Sequence, residues 1–212
     1  MTDRPWLTVF AGPNGSGKST LYREIAAAGH DLGTYINADD LAAALHAKAQ
    51  AKGRKLARQP FEWPAFIEAG QRRQHCLEVG APFAFETVFS HPSKIEFIKL
   101  AKAHGFNVML LAVSTESVDV NVARVKKRVA EGGHDVPLDK ILSRFPRAVA
   151  NLAPASLLAD EAYLFDNSGP AMRLAASVTR GPCGKPALRF APPPPAWVLA
   201  WAQRVTALVS RP

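Results

Sequence analysis

Cysteine is scarce in this chain, with only Cys76 and Cys183 among 212 residues. They are too far apart for a metal knuckle and too few for a disulfide framework, so a cytoplasmic setting is expected. No apolar run approaches the ~20 residues of a membrane span. The start Met1-Thr2-Asp3-Arg4-Pro5 has neither the basic end nor the apolar middle of a secretory leader. Internal repeats are lacking, and so is the aromatic-plus-basic pattern of single-strand or RNA recognition. The net charge of +8 therefore favours a small anionic substrate, with nucleic acid disfavoured but open. His30, His46, His75 and His104 fall at helix ends or on surfaces and carry no catalytic case.

What the chain does have is a complete phosphate-loop pattern. Gly12-Pro13-Asn14-Gly15-Ser16-Gly17-Lys18-Ser19-Thr20 follows an apolar strand, Trp6 to Ala11, and precedes a helix, Leu21 to Ala28. Glycines at 12, 15 and 17 allow a tight turn that aims successive N–H groups at an anion near a positive helix end. Lys18 would reach the terminal phosphates of ATP, and the Ser19 hydroxyl would ligate the accompanying magnesium.

Strands and helices then alternate. Strands are expected at Thr34 to Asn37, Pro82 to Thr87, Phe106 to Val113 and Ala162 to Phe165. Helices are expected at Leu41 to Ala51, Phe61 to Val79, Ser90 to about His104, Glu116 or Ser117 to Ala130, and from Pro137 to Leu152 with a bend at Pro146. In the Phe61–Val79 helix, Trp63, Phe66, Ile67, Gly70 and Leu77 share one face. A basic turn spans Lys52 to Arg58. After Gly169 a hairpin (172–179 with 187–190), a stiff Pro192–Pro195 spacer and a closing helix, Trp197 to Val209, are expected. The alternation reads as α/β, a three-layer sandwich with a mostly parallel central sheet and helices on both faces. The whole chain, 1–212, is expected to be one domain, with an Arg-bearing lid near 124–147 and a C-terminal extension at 170–212.

In parallel sheets ligands bind at the carboxyl ends of strands, so the strand-terminal residues are the candidates. Asp39 is a candidate general base for an acceptor hydroxyl, or else caps the helix that begins at Leu41. Glu86 and Thr87 end the Pro82–Thr87 strand. Glu86 could orient an acceptor hydroxyl, hold a magnesium-bound water, or accept from nearby backbone N–H groups. Arg128 and Arg144 flank Gly132-Gly133, as in a closing lid that neutralises developing charge. Arg124 and Arg147 read as a solvated helix face, and His134 as a lid residue that at most positions others. Asp166-Asn167-Ser168 could shape an adenine pocket or be a plain turn. Only Leu164-Phe165-Asp166 ends a hydrophobic strand in the Asp that usually holds magnesium.

The phosphate loop alone looks like that of a transporter ATPase, but the Leu-Ser-Gly-Gly-Gln signature of that family is missing. With Ile36-Asn37-Ala38-Asp39, Phe85-Glu86-Thr87-Val88-Phe89-Ser90, and Arg128 to Pro137 with Arg144-Phe145 added, the chain resembles the zeta toxin family of phosphate-loop kinases over roughly residues 6–170, and its short, free-standing members most. That resemblance implies an ATP- and magnesium-dependent kinase. Better-known members phosphorylate UDP-N-acetylglucosamine and are held inactive by an antitoxin partner. By match to the family's motifs, Lys18 and Ser19 are the phosphate-loop pair, Asp39 the base, Glu86 and Thr87 the acceptor-positioning residues, and Arg128 and Arg144 the transition-state arginines. The lid Gly-Gly-His-Asp-Val-Pro departs from that of the longer toxins. Rival readings are a polynucleotide or nucleoside kinase and a non-catalytic nucleotide-binding regulatory module.

Overall fold

The computed structural model describes residues 4–52, 57–181 and 184–210. Cys183 and part of the basic 52–58 turn lie outside them. The strands are β1 (Trp6–Ala11), β2 (Thr34–Ile36), β3 (Phe83–Thr87), β4 (Asn107–Ser114), β5 (Glu161–Asp166), β6 (Arg173–Arg180) and β7 (Pro186–Phe190). The helices are α1 (Lys18–Ala27), α2 (Ala38–Ala51), α3 (Glu62–Val79), α4 (Ser93–Ala103), α5 (Val118–Ala130), α6 (Leu138–Leu158) and α7 (Ala196–Val209). The strands form one sheet in the order β2-β3-β1-β4-β5-β6-β7. Its β2 to β5 portion is parallel, and β5-β6-β7 continue it antiparallel. This is a three-layer α/β arrangement in which the phosphate loop follows the central strand β1. β1 lies between β3 and β4, so the ends of three neighbouring strands open onto the phosphate loop.

Alternation along the strands explains the two cores. Leu7, Val9, Phe83, Phe85, Val108 and Leu110 point to one face, where α3, α4, α6 and α7 cover them. Phe10, Ala84, Leu111 and Val113 point to the other, which Leu21, Tyr22 and Ile25 of α1 cover. Each large apolar side chain so buried contributes roughly 1.5–3 kcal/mol.

Several boundaries differ from those expected, each for a physical reason. α1 begins at Lys18, not Leu21, because Gly17 in the left-handed region (φ 106°) turns the loop directly into the helix. α2 begins at Ala38, not Leu41: Asn37 is its N-cap, and its side-chain oxygen accepts from the Asp39 N–H at 2.9 Å. α4 begins at Ser93, not Ser90, since His91 Nδ1 takes the Ser93 N–H. α6 continues past Pro146 and Pro154 to Leu158. Each proline removes one helical hydrogen bond, while Ala148, Leu152, Ala153 and Ala155 stay buried along the helix. In α3 the buried face is Ala65, Ala69, Cys76 and Leu77, whereas Trp63, Phe66 and Ile67 are exposed. Small residues let α3 sit close to the sheet and α2, and the large ones of its first turns face outward.

Candidate active site

The phosphate loop is held in shape before any ligand enters. Gly12 has φ 148°, and a Cβ there would lie 2.0 Å from the Val113 carbonyl oxygen of β4. A Cβ on Gly17 would lie 2.4 Å from Asn167 Nδ2. No L side chain fits either place. From behind, Asn167 Nδ2 donates to the Ser16 carbonyl at 2.8 Å, and the buried Asn121 of α5 donates to the Asn14 carbonyl. Thr115 in turn donates to the Asn121 side-chain oxygen. The loop is thus tied to α5 on one side and to the end of β5 on the other.

At the front of the loop, Glu86 gathers four donors at the end of β3. Its Oε2 accepts from Ser19 Oγ at 2.7 Å, Tyr35 OH at 3.0 Å and Asn37 Nδ2 at 3.3 Å. Its Oε1 lies 3.7 Å from Lys18 Nζ. Lys18 also donates to the Pro13 carbonyl at 3.0 Å. Burial pushes the Lys18 ammonium down, while Glu86 and Asp39 pull it back up and Arg128 opposes them. Burial also raises the Tyr35 phenol, with Glu86 adding to it, so Tyr35 stays a neutral donor to the carboxylate. Of the readings open for Glu86, acceptance from backbone N–H groups finds no bond among the described residues. Its partners are the side chains of a charge-handling site.

Asn37 already caps α2, so capping does not explain Asp39. Its carboxylate sits in the first turn of α2 at the rim of a cleft of about 530 Å³. Lys18, Ser19, Glu86, Thr87, Arg128 and Arg144 line the same cleft. Asp40 is not among the residues lining that cleft, and its carboxyl is raised by burial, with Glu86 and Asp39 adding. Thr87 Oγ1 accepts from the Phe89 N–H at 3.2 Å. Phe89 takes φ 63°, a left-handed conformation rare for a bulky residue. Its burial and the Asn151 Nδ2 bond to its carbonyl at 2.9 Å hold it there.

Arg128 Nη2 donates to the His134 carbonyl at 2.7 Å, which fixes the turn through Gly132 and Gly133. His134 Nε2 lies 3.7 Å from Glu62 of α3. Arg144 lines the 530 Å³ cleft and an adjoining one of about 480 Å³ that reaches Trp63, His134 and Lys140. Arg147 bonds back to Ser143 on its own helix, as a solvated residue does. Arg124 does not follow that reading. It lines the cleft, reaches the Gly169 carbonyl at 3.4 Å, and keeps its buried Nη1 without a partner. Arg128 Nε and Ser16 Oγ are likewise buried and unpaired. Buried unpaired donors are costly, and an anionic ligand would satisfy these.

Asp166 is a structural joint. Its Oδ1 accepts from Trp197 Nε1 at 3.0 Å and from Ser168 Oγ at 2.6 Å, and its Oδ2 lies 3.5 Å from Arg173. It anchors α7 and β6, and is spoken for as a metal ligand. Ser19, backed by Glu86, fits magnesium better, because a hydroxyl and a carboxylate are hard oxygen donors beside the phosphate cradle. No cluster of three or more His, Cys, Asp or Glu capable of holding a metal occurs among the described residues.

Sequence reasoning missed Tyr35 and Asn121 as supports, Arg124 as a cleft residue, and Arg73 and Lys94, which also line the cleft. A polar Asn in a buried helix position is a signal that spacing could have yielded. Arg73 and Lys94 meet only through the fold.

The family described as AAA domain matches residues 7–148. An uncharacterized protein of Haemophilus influenzae is 30% identical over a 142-residue alignment that covers 64% of this chain and 89% of that protein. Among solved structures, a chain of the AvrRxo1-ORF1:ORF2 complex with ATP superposes with a TM-score of 0.70 at 17% identity, over 96% of this chain. This chain spans 64% of that one's length. The PezAT chromosomal toxin–antitoxin system of Streptococcus pneumoniae gives a TM-score of 0.54 at 10% identity, over 99% of this chain and 89% of that one. These structural likenesses establish a shared fold.

Proposed function

The chain belongs to this AAA domain family, and from that premise we propose that it is an ATP-dependent kinase that moves the γ-phosphoryl group to a hydroxyl of a small-molecule acceptor. The observation that carries this reading is the convergence of Lys18, Ser19, Glu86 and Asp39 on one cleft from the ends of β1, β3 and β2. The loop amides from 14 to 19 and Lys18 bind the β- and γ-phosphates. Ser19 and Glu86 would hold magnesium, which when bound supplies charge neutralisation at the phosphates. Asp39 accepts the acceptor's hydroxyl proton as that oxygen bonds to the γ-phosphorus and the bond to the β,γ-bridging oxygen breaks. Thr87 positions the acceptor. Arg128 and Arg144 neutralise charge on the transferring group, and Arg124 joins them through its unpaired Nη1.

Within this reading the acceptor is a sugar nucleotide such as UDP-N-acetylglucosamine, as the zeta-toxin resemblance implies. A protein partner akin to an antitoxin belongs to the same proposal. The PezAT and AvrRxo1 neighbours, which are themselves systems of two proteins, support it. The enzyme would act in the cytoplasm, where ATP is supplied. No helix among the described residues is long and apolar enough to cross a membrane.

The test is incubation with Mg-ATP, UDP-N-acetylglucosamine and a panel of sugars, nucleosides and oligonucleotides, read by mass spectrometry. Lys18→Ala should lose ATP binding and product together. Asp39→Asn should keep ATP binding and lose turnover by about 10²–10⁴-fold. Phosphate on oligonucleotide ends would favour the polynucleotide kinase instead. ATP binding with no phosphorylated acceptor anywhere in the panel would overturn the kinase reading in favour of a regulatory module.

A further inference from the structure

Besides the phosphate-loop residues, the cleft is lined by two cations that the proposed chemistry leaves unused. Arg73 comes from α3 and Lys94 from the first turn of α4, and both line the 530 Å³ cleft that holds Asp39 and Thr87. Neither side chain has a hydrogen bond or a carboxylate partner among the described residues. They meet ring faces instead. The Arg73 guanidinium lies 5.2 Å from the Phe85 ring centre and 5.8 Å from that of Phe97, and Lys94 Nζ lies 5.7 Å from that of Phe66. Ring faces orient a cation but neutralise little of its charge. Burial, with Arg73 adding, pushes the Lys94 ammonium down to about 8. Two half-buried cations that repel each other are a standing cost to the fold.

We infer that Arg73 and Lys94 form a subsite for a phosphate group already carried by the acceptor, so that the substrate is a phosphorylated alcohol. The inference rests on the kinase reading above, and it concerns a position separate from the phosphate loop. A phosphate with charge near −2 matches two cations, whereas a single carboxylate would leave one unmatched. The planar Arg73 fork, held by Phe85 and Phe97, offers paired N–H donors, and Lys94 adds a point charge. The acceptor would then bridge the cleft, with its phosphate on Arg73 and Lys94 and its hydroxyl toward Asp39. Any compound lacking the anion would forfeit this anchor.

The experiment is a titration of the full chain with inorganic phosphate, followed by residue-resolved amide and Arg Nε–H NMR. Saturable shifts are expected at Arg73 Nε–H and at the 93–95 amides, in addition to those of the loop at 14–19. In Lys94→Met, read at Arg73 Nε–H, and independently in Arg73→Met, read at the 93–95 amides, phosphate affinity should weaken at least tenfold while the loop set persists; spectral dispersion confirms that each variant is folded. Acetate should bind there at least tenfold more weakly than phosphate. Shifts confined to residues 14–19, or equal binding of acetate, would overturn the subsite and leave the kinase reading standing. Shifts at Arg73 with none at 14–19 would instead remove the nucleotide site and spare the subsite.

Discussion

Lys94 is a residue whose presence costs stability and which the fold nonetheless keeps. Its ammonium titrates near 8 in the folded protein, against an ordinary value of 10.5. The folded state therefore resists protonation, and between those values the unfolded chain binds more protons. Stability consequently rises with pH across that window, and below about 8 the full penalty is present. Lys94→Met should melt higher than wild type at pH 7, and the gap should shrink from pH 8 to 10.5, as calorimetric scans would read. A variant that melts lower throughout would mean that the ammonium has a partner in solution. Glu86 is the opposite case, a carboxylate with Ser19, Tyr35, Asn37 and Lys18 all around it. Glu86→Gln keeps the shape but removes the charge that holds Lys18 forward and supports magnesium. Turnover should fall roughly 10²-fold, with the loss partly relieved by raising magnesium, as a titration of rate against metal would show. If added metal changes nothing, Glu86 acts on the acceptor instead.

At the scale of elements, the proposed lid would depend on a contact between α5 and its following turn. A Cβ on Gly133 would lie 2.5 Å from Arg128 Cγ and 2.9 Å from the Arg128 carbonyl oxygen. Gly133→Ala must therefore move either the arginine or the turn. Turnover should drop about tenfold or more, with ATP affinity nearly unchanged; steady-state kinetics beside direct ATP binding would separate the two. Equal losses in both would place Arg128 on bound nucleotide before reaction. The turn through Gly132-Gly133 beside Arg128 was legible in the sequence, because it is local pattern. So were the phosphate loop and the strand-end carboxylates, since each is a short run at the end of an apolar strand. The entry to α2 was less legible: either Asn37 or Asp39 can cap, and the Asn37 side-chain bond to the Asp39 N–H decides it. The α3 stripe misled for a different reason. Periodicity identifies a face but not which face is buried, and the small residues Ala65 and Ala69 made the closer packing surface. The Arg73–Lys94 pair was illegible, because two helices on opposite sides of β3 in the chain bring it together.

For the molecule as a whole, the question is whether the part beyond residue 148, where the family match stops, is an accessory. β6 pairs with β5 along its length, and β7 with β6. Trp197, Val198, Trp201 and Val205 of α7 are buried in the core that also holds Leu152 and Leu164. Trp201 Nε1 donates to Ser156 Oγ at 3.2 Å, and Arg180 Nη2 to the Ala159 carbonyl at 3.2 Å. Trp197 holds Asp166, the next residue Asn167 supports Ser16, and so the last helix reaches the phosphate loop in two steps. We propose that residues 4–210 fold as one cooperative unit. Removing 170–212 would leave the β5 edge unpaired and uncover the α6 side of the core, a loss of several large buried side chains at roughly 1.5–3 kcal/mol each, comparable to the whole stability of a domain. The truncated chain should show no cooperative melt by circular dichroism. The milder Trp197→Phe removes one hydrogen bond and should cost about 1 kcal/mol. It should also weaken ATP binding by loosening Asn167 behind Gly17. If instead the truncated chain melts cooperatively and binds ATP like wild type, the segment after Gly169 is an appendage, and the route from α7 to the phosphate loop carries no energy.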